Sequence, residues 1–245
     1  MAQMGLTYGR DLVRGSLAQY MPGAATLWGS LRYYFDVNNA YVLRKLLALL
    51  FPFSKRRWAR LSAAEAAGTG RHAGDGGGAG AAPAPPAHDE NAPDLYIPTM
   101  AFITFVLVAG LVKGVGDAFH PDVLVAAASA ALAAAALEVV LVRAALYTFA
   151  ADAAVPLLDL AALAGYKFPG LVVNALAGLA LGRAGYYAAL AYTAAAAAFF
   201  TANTLRAAVA PPDAVLAPRA GSAQSVLLFA GAIQVALMWW LGRAP

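Results

Sequence analysis

The chain has 245 residues, of which 61% are hydrophobic and 12% charged, whereas a soluble domain carries roughly a quarter charged residues. With no cysteine, disulfides, thiolate metal sites, iron–sulfur clusters and thiol nucleophiles are excluded. The net charge of +4 does not indicate nucleic acid, because 10 of the 17 Lys and Arg precede Asn91 and several stand beside aliphatic residues, a pattern suited to a membrane surface.

Met1 to Tyr20 holds Arg10, Asp11 and Arg14 with no continuous apolar core, which argues against a secretory signal and predicts a cytosolic N-terminus. From Leu27 to Trp58 come aromatics, then Asn38 and Asn39 as a helix-start signal, then a leucine-rich helix over Ala40 to Phe51 that Pro52 ends. That helix is too short to span a bilayer. Arg44 and Lys45 flank a surface of Val42, Leu43, Leu46, Leu47, Leu49 and Leu50, followed by Lys55, Arg56, Arg57 and Arg60. The pattern predicts an amphipathic helix lying against anionic lipid, with Arg44, Lys45, Leu46, Leu47, Lys55, Arg56 and Arg57 as membrane-surface contacts. From residue 62 to residue 93 the chain is rich in Ala, Gly and Pro, including Gly76 to Gly78 and Pro83, Pro85 and Pro86, and reads as a disordered linker. The expected organisation is an N-terminal segment (1–61), the linker (62–93) and a transmembrane domain (94–245).

After Asp94 the charges separate apolar runs. Asp94 to Lys113 encloses 18 uncharged residues, enough for a first crossing. Asp122 to Asp152 encloses the second, interrupted by Glu138 and Arg143. Lys167 to Arg183 encloses only 15, about 22 Å at helical rise, so the third crossing needs snorkelling ends or extra turns before Pro169. Arg183 to Arg206 encloses 22 and Arg219 to Arg243 encloses 23, both matched to a bilayer core. The expected fold is therefore all-α and polytopic, with about five transmembrane helices. Arg143, Lys167, Arg206 and Arg219 on the expected cytosolic side face Lys113, Arg183 and Arg243 on the other, so charge alone does not orient the bundle.

Asn174, Gly178 and Gly182 recur every four residues and predict a small-residue face for close helix packing, within or between chains. Glu138 lies deep in the second span, where an ionised carboxylate needs a partner or water. Arg143 is the nearest candidate but is offset around the helix. Glu138 thus reads as a polar contact to a neighbouring helix or as a group near a bent, wet end; lacking a second membrane carboxylate to form a relay, the second reading is preferred. Gly114, Val115, Gly116 and Asp117 spell the GxGD string of intramembrane aspartyl proteases. They fall in an inter-helix loop, and no second aspartate lies within a span to share a proton. His72, His88 and His120 are scattered, leaving Ser129 without a base, and no phosphate-binding glycine loop is present. No catalytic, cofactor-binding or metal-binding residue is expected.

Two long stretches, YFDVNNAYVLRKLLALLFPF (Tyr34 to Phe53) and NAPDLYIPTMAFITFVLVAGL (Asn91 to Leu111), resemble the Yif family, the Yip-interacting factors. The resemblance continues through AGYKFPG (Ala164 to Gly170) and GYYAALAYTAAAAAFFTANTLR (Gly185 to Arg206) and covers roughly Leu31 to Leu241. It implies a multi-pass protein of endoplasmic-reticulum and Golgi membranes, with a cytosolic N-terminus, that acts with a Yip-family partner in vesicle transport and associates with Rab-type GTPases. Asp94, Leu95, Tyr96 and Pro98 at the first entry and Tyr166 and Lys167 at the third are candidate partner contacts, as are Asn174, Gly178 and Gly182. Asn91 reads as the cap of the first entry, with Pro93 and Pro98 stiffening it. A non-enzymatic adaptor is the expected role. A small channel or transporter using Glu138, Arg143 and Asn174, and a membrane-shaping protein using the Ala40 to Phe51 helix, are the rivals.

Overall fold

A computed structural model describes residues 29, 31–61, 84–149, 155–209 and 220–243. The signal-free reading of Met1 to Tyr20 and the linker reading of residues 62–83 fall outside them. Among the described residues there are helices and no strands.

Helix α1 (Asn39–Leu50) begins where the side chain of Asn38, in extended conformation, accepts the Tyr41 amide at 2.7 Å. That bond satisfies a donor the first turn would otherwise leave open. The helix stops at Phe51, and Pro52 opens a single 3-10 turn, Pro52–Ser54. Helix α2 (Tyr96–Val115) is capped by Asp94, whose Oδ1 accepts the Ile97 amide at 2.8 Å. Asn91, the expected cap, instead donates its side-chain amide to the Ala59 carbonyl; three residues nearer the helix, the carboxylate is the group within reach of a free amide.

Helix α2 ends in a reciprocal pair of backbone bonds, Asp117 to the Gly114 carbonyl and Ala118 to the Lys113 carbonyl, with Asp117 at φ 52°. This is the Schellman stop with aspartate in the left-handed position that glycine usually fills. The GxGD string is thereby explained as a helix terminus, with Gly114 and Val115 inside α2 and not in a loop as expected. Helices α3 (Pro121–Phe149), α4 (Leu157–Gly165), α5 (Phe168–Val209) and α6 (Ala220–Leu241) follow.

Four helical segments are long and apolar enough to cross a membrane: Tyr96–Val115, Pro121–Phe149, Leu157–Val209 and Gln224–Leu241. The third contains a reversal. Gly182 adopts φ 69°, ψ −161°, a combination essentially closed to residues with a Cβ. Contacts fold symmetrically about it: Gly178 packs on Tyr186, and Gly170 on Thr193. Residues 168–181 and 183–209 are therefore antiparallel, and the described residues make five passes. The short third pass is completed by the separate helix α4, which joins α5 through the turn at Tyr166 and Lys167.

The helices are turned inside out relative to a soluble bundle. Along α3 the inward positions are Ala127, Ala131, Ala134, Glu138, Val142 and Ala145, while Val125, Leu132 and Val140 face outward. Along α2, Met100, Ile103, Leu107 and Leu111 are exposed on one stripe. In water such a surface would be costly. In hydrocarbon it is neutral, and the small inner face allows the close approach from which helix association gains most.

Residues 31–61 pack into this body. Tyr41 and Leu49 share one apolar core with Val142, Leu146, Leu160, Leu163, Tyr166, Phe200 and Leu205. A second core, around Phe105, Phe168, Leu171, Leu190 and Met238, fills the middle of the bundle. Residues 84–93, expected to be linker, are fixed against the N-terminal segment: the Ala87 amide reaches the Asp36 carbonyl, the Leu95 amide the Tyr34 carbonyl, and Tyr33 donates to Ala84. Their backbone groups find partners despite a composition poor in side chains to bury.

At Gly182, replacement by alanine should lower stability by about 1–3 kcal/mol through forced left-handed backbone. Replacement of Gly114, where an added Cβ meets nothing, should be neutral or mildly stabilising; thermal unfolding in detergent micelles compares the two.

Candidate functional site

The most concentrated set of polar side chains lies where the N-terminal segment meets the bundle. Asp94 is fully buried. Its Oδ2 accepts the Tyr41 and Tyr166 hydroxyls, each at 2.8 Å, while Oδ1 holds the Ile97 amide. Its own amide donates to the Tyr166 hydroxyl oxygen at 2.9 Å. One carboxylate thus joins α1, the start of α2 and the α4–α5 turn. Three donors replace hydration that a buried carboxylate loses.

Lys45 stands beside it, also fully buried, donating to the Glu90 carbonyl at 2.7 Å and the Ala92 carbonyl at 2.9 Å. The Tyr166 ring lies 5.1 Å from its ammonium and the Phe200 ring 5.8 Å, within cation–π range. Burial pushes its pKa down to about 7, with the negative charge of Asp94 opposing part of that fall. Burial pushes the Tyr34 and Tyr41 hydroxyls up, and the neighbouring carboxylates push in the same direction. Both phenols therefore stay protonated and donating.

A second carboxylate extends the contact. Asp159, in the first turn of α4, accepts the Tyr34 hydroxyl on Oδ1 and Arg60 at 2.6 Å on Oδ2. Asp89 accepts the Leu61 and Asn91 amides, both at 2.9 Å. Together Asp89, Asp94 and Asp159 hold both ends of residues 34–61 to the bundle.

Deeper in the bundle, Glu138 of α3 and Lys167 form a wholly buried ion pair at 2.6 Å. The expected partner Arg143 instead donates to the Val155 carbonyl at 2.9 Å and closes the connection into α4. Glu138 is accordingly a contact to a neighbouring helix and not a group at a wet end; being five residues along, Arg143 points round the helix, whereas Lys167 approaches from the facing turn. Asn174 accepts the Thr193 hydroxyl and Gln234 donates to Thr201. These contacts are separate pairs; Asn174 Nδ2 and Gln234 Oε1 are buried without a hydrogen-bond partner among the described residues. No group of three His, Cys, Asp or Glu converges among the described residues.

Several expected assignments change. Lys45, expected at the lipid surface, is interior because its helix face carries Tyr41 and Leu49 as well; Leu47 on the opposite face is exposed, Leu46 half-buried, and Arg44 makes an exposed ion pair with Glu90 at 3.2 Å. Arg56 and Arg57 are exposed, and Lys55 is partly covered by Trp58, 5.3 Å from its ring. Asp94, Pro98, Tyr166, Lys167 and Asn174, expected to meet a partner, are buried within the chain, with Leu95 and Tyr96 half-buried. Pro98 packs so tightly on Gly165 that a Cβ there would collide. Gly178 faces Tyr186 in the chain's own hairpin, and Gly182 is its turn, not a member of a continuous helix face. Arg60, read with the basic run at the lipid surface, pairs with Asp159 instead, and Tyr34, Tyr41, Asp89 and Asp159 escaped the sequence reading. The signal for Asp159 was a lone carboxylate in an apolar run, which requires a partner wherever it lies.

The family model YIF1 matches residues 1–242. Among curated relatives, Protein YIF1A of Mus musculus is 35% identical over 98% of this chain and 78% of its own length. Protein YIF1B of Homo sapiens is 36% identical over 95% of this chain and 69% of its own, and Protein transport protein yif1 of Schizosaccharomyces pombe 36% identical over 73% and 58%. No solved structure matches.

Breaking the Glu138–Lys167 pair should destabilise strongly: Lys167→Met or Glu138→Gln alone should cost about 3–5 kcal/mol by stranding a buried charge, and the double substitution should recover much of it. Unfolding in mixed micelles measures the cycle. For Lys45, the unfolded side chain titrates near 10.5 and the folded one near 7. Between those values the unfolded chain holds the extra proton, so stability of this contact rises with pH from about 7 towards 10. Amide exchange across Tyr41–Leu49, corrected for intrinsic rates, should slow over that range, and Lys45→Met should abolish the trend.

Proposed function

Because the chain belongs to the YIF1 family, we propose that it is a non-enzymatic membrane adaptor in endoplasmic-reticulum-to-Golgi vesicle transport. It pairs with a Yip-family membrane protein and recruits a Rab-type GTPase, with the N-terminal segment in the cytosol. The observation that carries this reading is the family match over residues 1–242, together with similarity over 73% of the chain to a relative named as a protein transport protein.

The architecture is consistent with such a role. Residues 31–61 and 84–94 pack together, and there Arg44, Arg56 and Arg57 are exposed. A soluble GTPase meets that surface, while a membrane partner meets the outward aliphatic stripes of α2 and α3. The Asp94, Asp159 and Asp89 contacts keep the two surfaces in fixed relation, which an adaptor needs if docking on one is to register on the other. The transport rival needs a continuous polar route, whereas Glu138, Asn174 and Gln234 bond to three different side chains, Lys167, Thr193 and Thr201, and not to one another.

Affinity purification of the tagged full chain in mild detergent tests the proposal. Recovery of a Yip-family protein with a Rab GTPase is the expected result, and loss of the GTPase on Arg56→Glu with Arg57→Glu would map its side. Recovery of neither, from a chain still folded by size exclusion, would sink the adaptor reading.

A further inference from the structure

Leu43, Leu47, Phe51 and Phe53 are each more than half exposed, although the helix that carries them has a well-filled opposite face. Where this face sits can be read from the contacts that α1 makes along α5. Near its start, Tyr41 is tied to Asp94 and Tyr166, and Lys45 stands over Phe200. At its end, the Leu50 carbonyl accepts the Tyr192 hydroxyl at 2.8 Å, and the Phe51 and Phe53 rings lie 6.0 and 6.4 Å from that of Tyr192. The chain then returns, for Trp58 packs 5.5 Å from Phe200, Arg60 reaches Asp159 and Leu61 reaches Asp89.

Helix α1 therefore runs along α5 and not across it. From Phe200 to Tyr192 is eight residues, about 12 Å along the axis. The far end of the bundle is marked by Tyr186, beside Gly242 at the close of α6, six residues, or about 9 Å, beyond Tyr192. The Phe51–Phe53 tip consequently lies near the middle of the bundle's depth, not at its edge.

We infer that residues 39–61 form a re-entrant wedge: α1 descends end-on into the leaflet on the N-terminal segment's side, turns at Pro52 and climbs back to Trp58. The occupant of its apolar face is the acyl chains of that leaflet. Its exposed side chains run on into Tyr192 and Phe199, also exposed, so the face continues the outward belt of α5. The return limb brings Lys55, Arg56 and Arg57 up beside Trp58, where cations and an indole meet phosphate headgroups. Helix α1 bonds internally and the freed Leu50 carbonyl is taken by Tyr192, so the descending limb keeps its backbone groups paired in hydrocarbon. A helix lying flat on the surface, the arrangement that amphipathicity alone suggests, would hold Leu43, Leu47 and Phe51 at one depth. The inference goes beyond the adaptor proposal and rests only on the bundle crossing a bilayer.

The cysteine-free sequence allows a direct test. The full chain carrying a single nitroxide-labelled cysteine at Leu43, Leu47 or Phe51 is reconstituted into phosphatidylcholine–phosphatidylserine vesicles. Depth is read from collision with oxygen against a nickel chelate, with Leu107→Cys as a mid-span reference and Arg57→Cys as a headgroup reference. Depth should increase by about 6 Å per step, reaching that of Leu107 at position 51. Phe53→Cys repeats the deepest reading should Phe51→Cys fail to fold. Equal depths at the three positions would overturn the wedge, and weak collision with both reagents would overturn the lipid occupant in favour of a second copy of the chain. A water-exposed Leu107 would overturn the membrane-crossing premise itself, an outcome distinct from the other two.

Discussion

The structure depends on a buried carboxylate that neutral donors hold in place. Asp94 is held by two phenols and a backbone amide, and the two phenols come from parts of the chain that otherwise have little reason to meet. Tyr41 lies 53 residues before it and Tyr166 72 residues after. An unmade bond to a buried carboxylate costs at least ~1–3 kcal/mol, so the three elements are obliged to converge. Once they do, Leu49, Leu160, Phe200 and Leu205 close into a core that none of these elements forms alone.

This convergence gives three of the four stretches behind the family resemblance a physical meaning. From the sequence, the stretch around Tyr41 reads as a helix for the membrane surface, and the one that opens at Asn91 and the one around Tyr166 as places for a partner. They are places where the chain partners itself. The sequence disclosed their importance through unusual residues in apolar surroundings, yet a single chain carries no record of which donor meets which acceptor. The same limit explains Glu138. Its need for a counter-charge was plain, but Arg143 seemed nearest because distance along the sequence was the only distance available, and Lys167 arrives through the turn between α4 and α5.

Secondary structure and passes were more legible. Asn38 and Pro52 bound α1 as their chemistry requires, and charge spacing marked the apolar passes to within a few residues. The short third pass is where spacing fell short, since Lys167 is interior and the charge taken as its boundary belongs to an ion pair. Amphipathicity found α1 but misjudged which face is turned inward: the cation of Lys45 counted as polar, whereas in place it is covered by Tyr166 and Phe200 and bonded to two carbonyls. The partial burial of residues 84–93 was hidden for a related reason. Their contribution is made by backbone groups, which composition does not weigh.

The tight reversal at Gly182 has a bearing on how the protein is made. A hairpin whose ends are joined by one residue delivers no water-loving loop to the far side of the membrane, and the turn between α2 and α3 is nearly as brief. Insertion during synthesis then requires each helical pair to partition sideways into lipid as a unit, with almost nothing hydrophilic to be threaded across. Among the described residues, the connections at Gly182 and between α2 and α3 are correspondingly small targets for anything that approaches them from water.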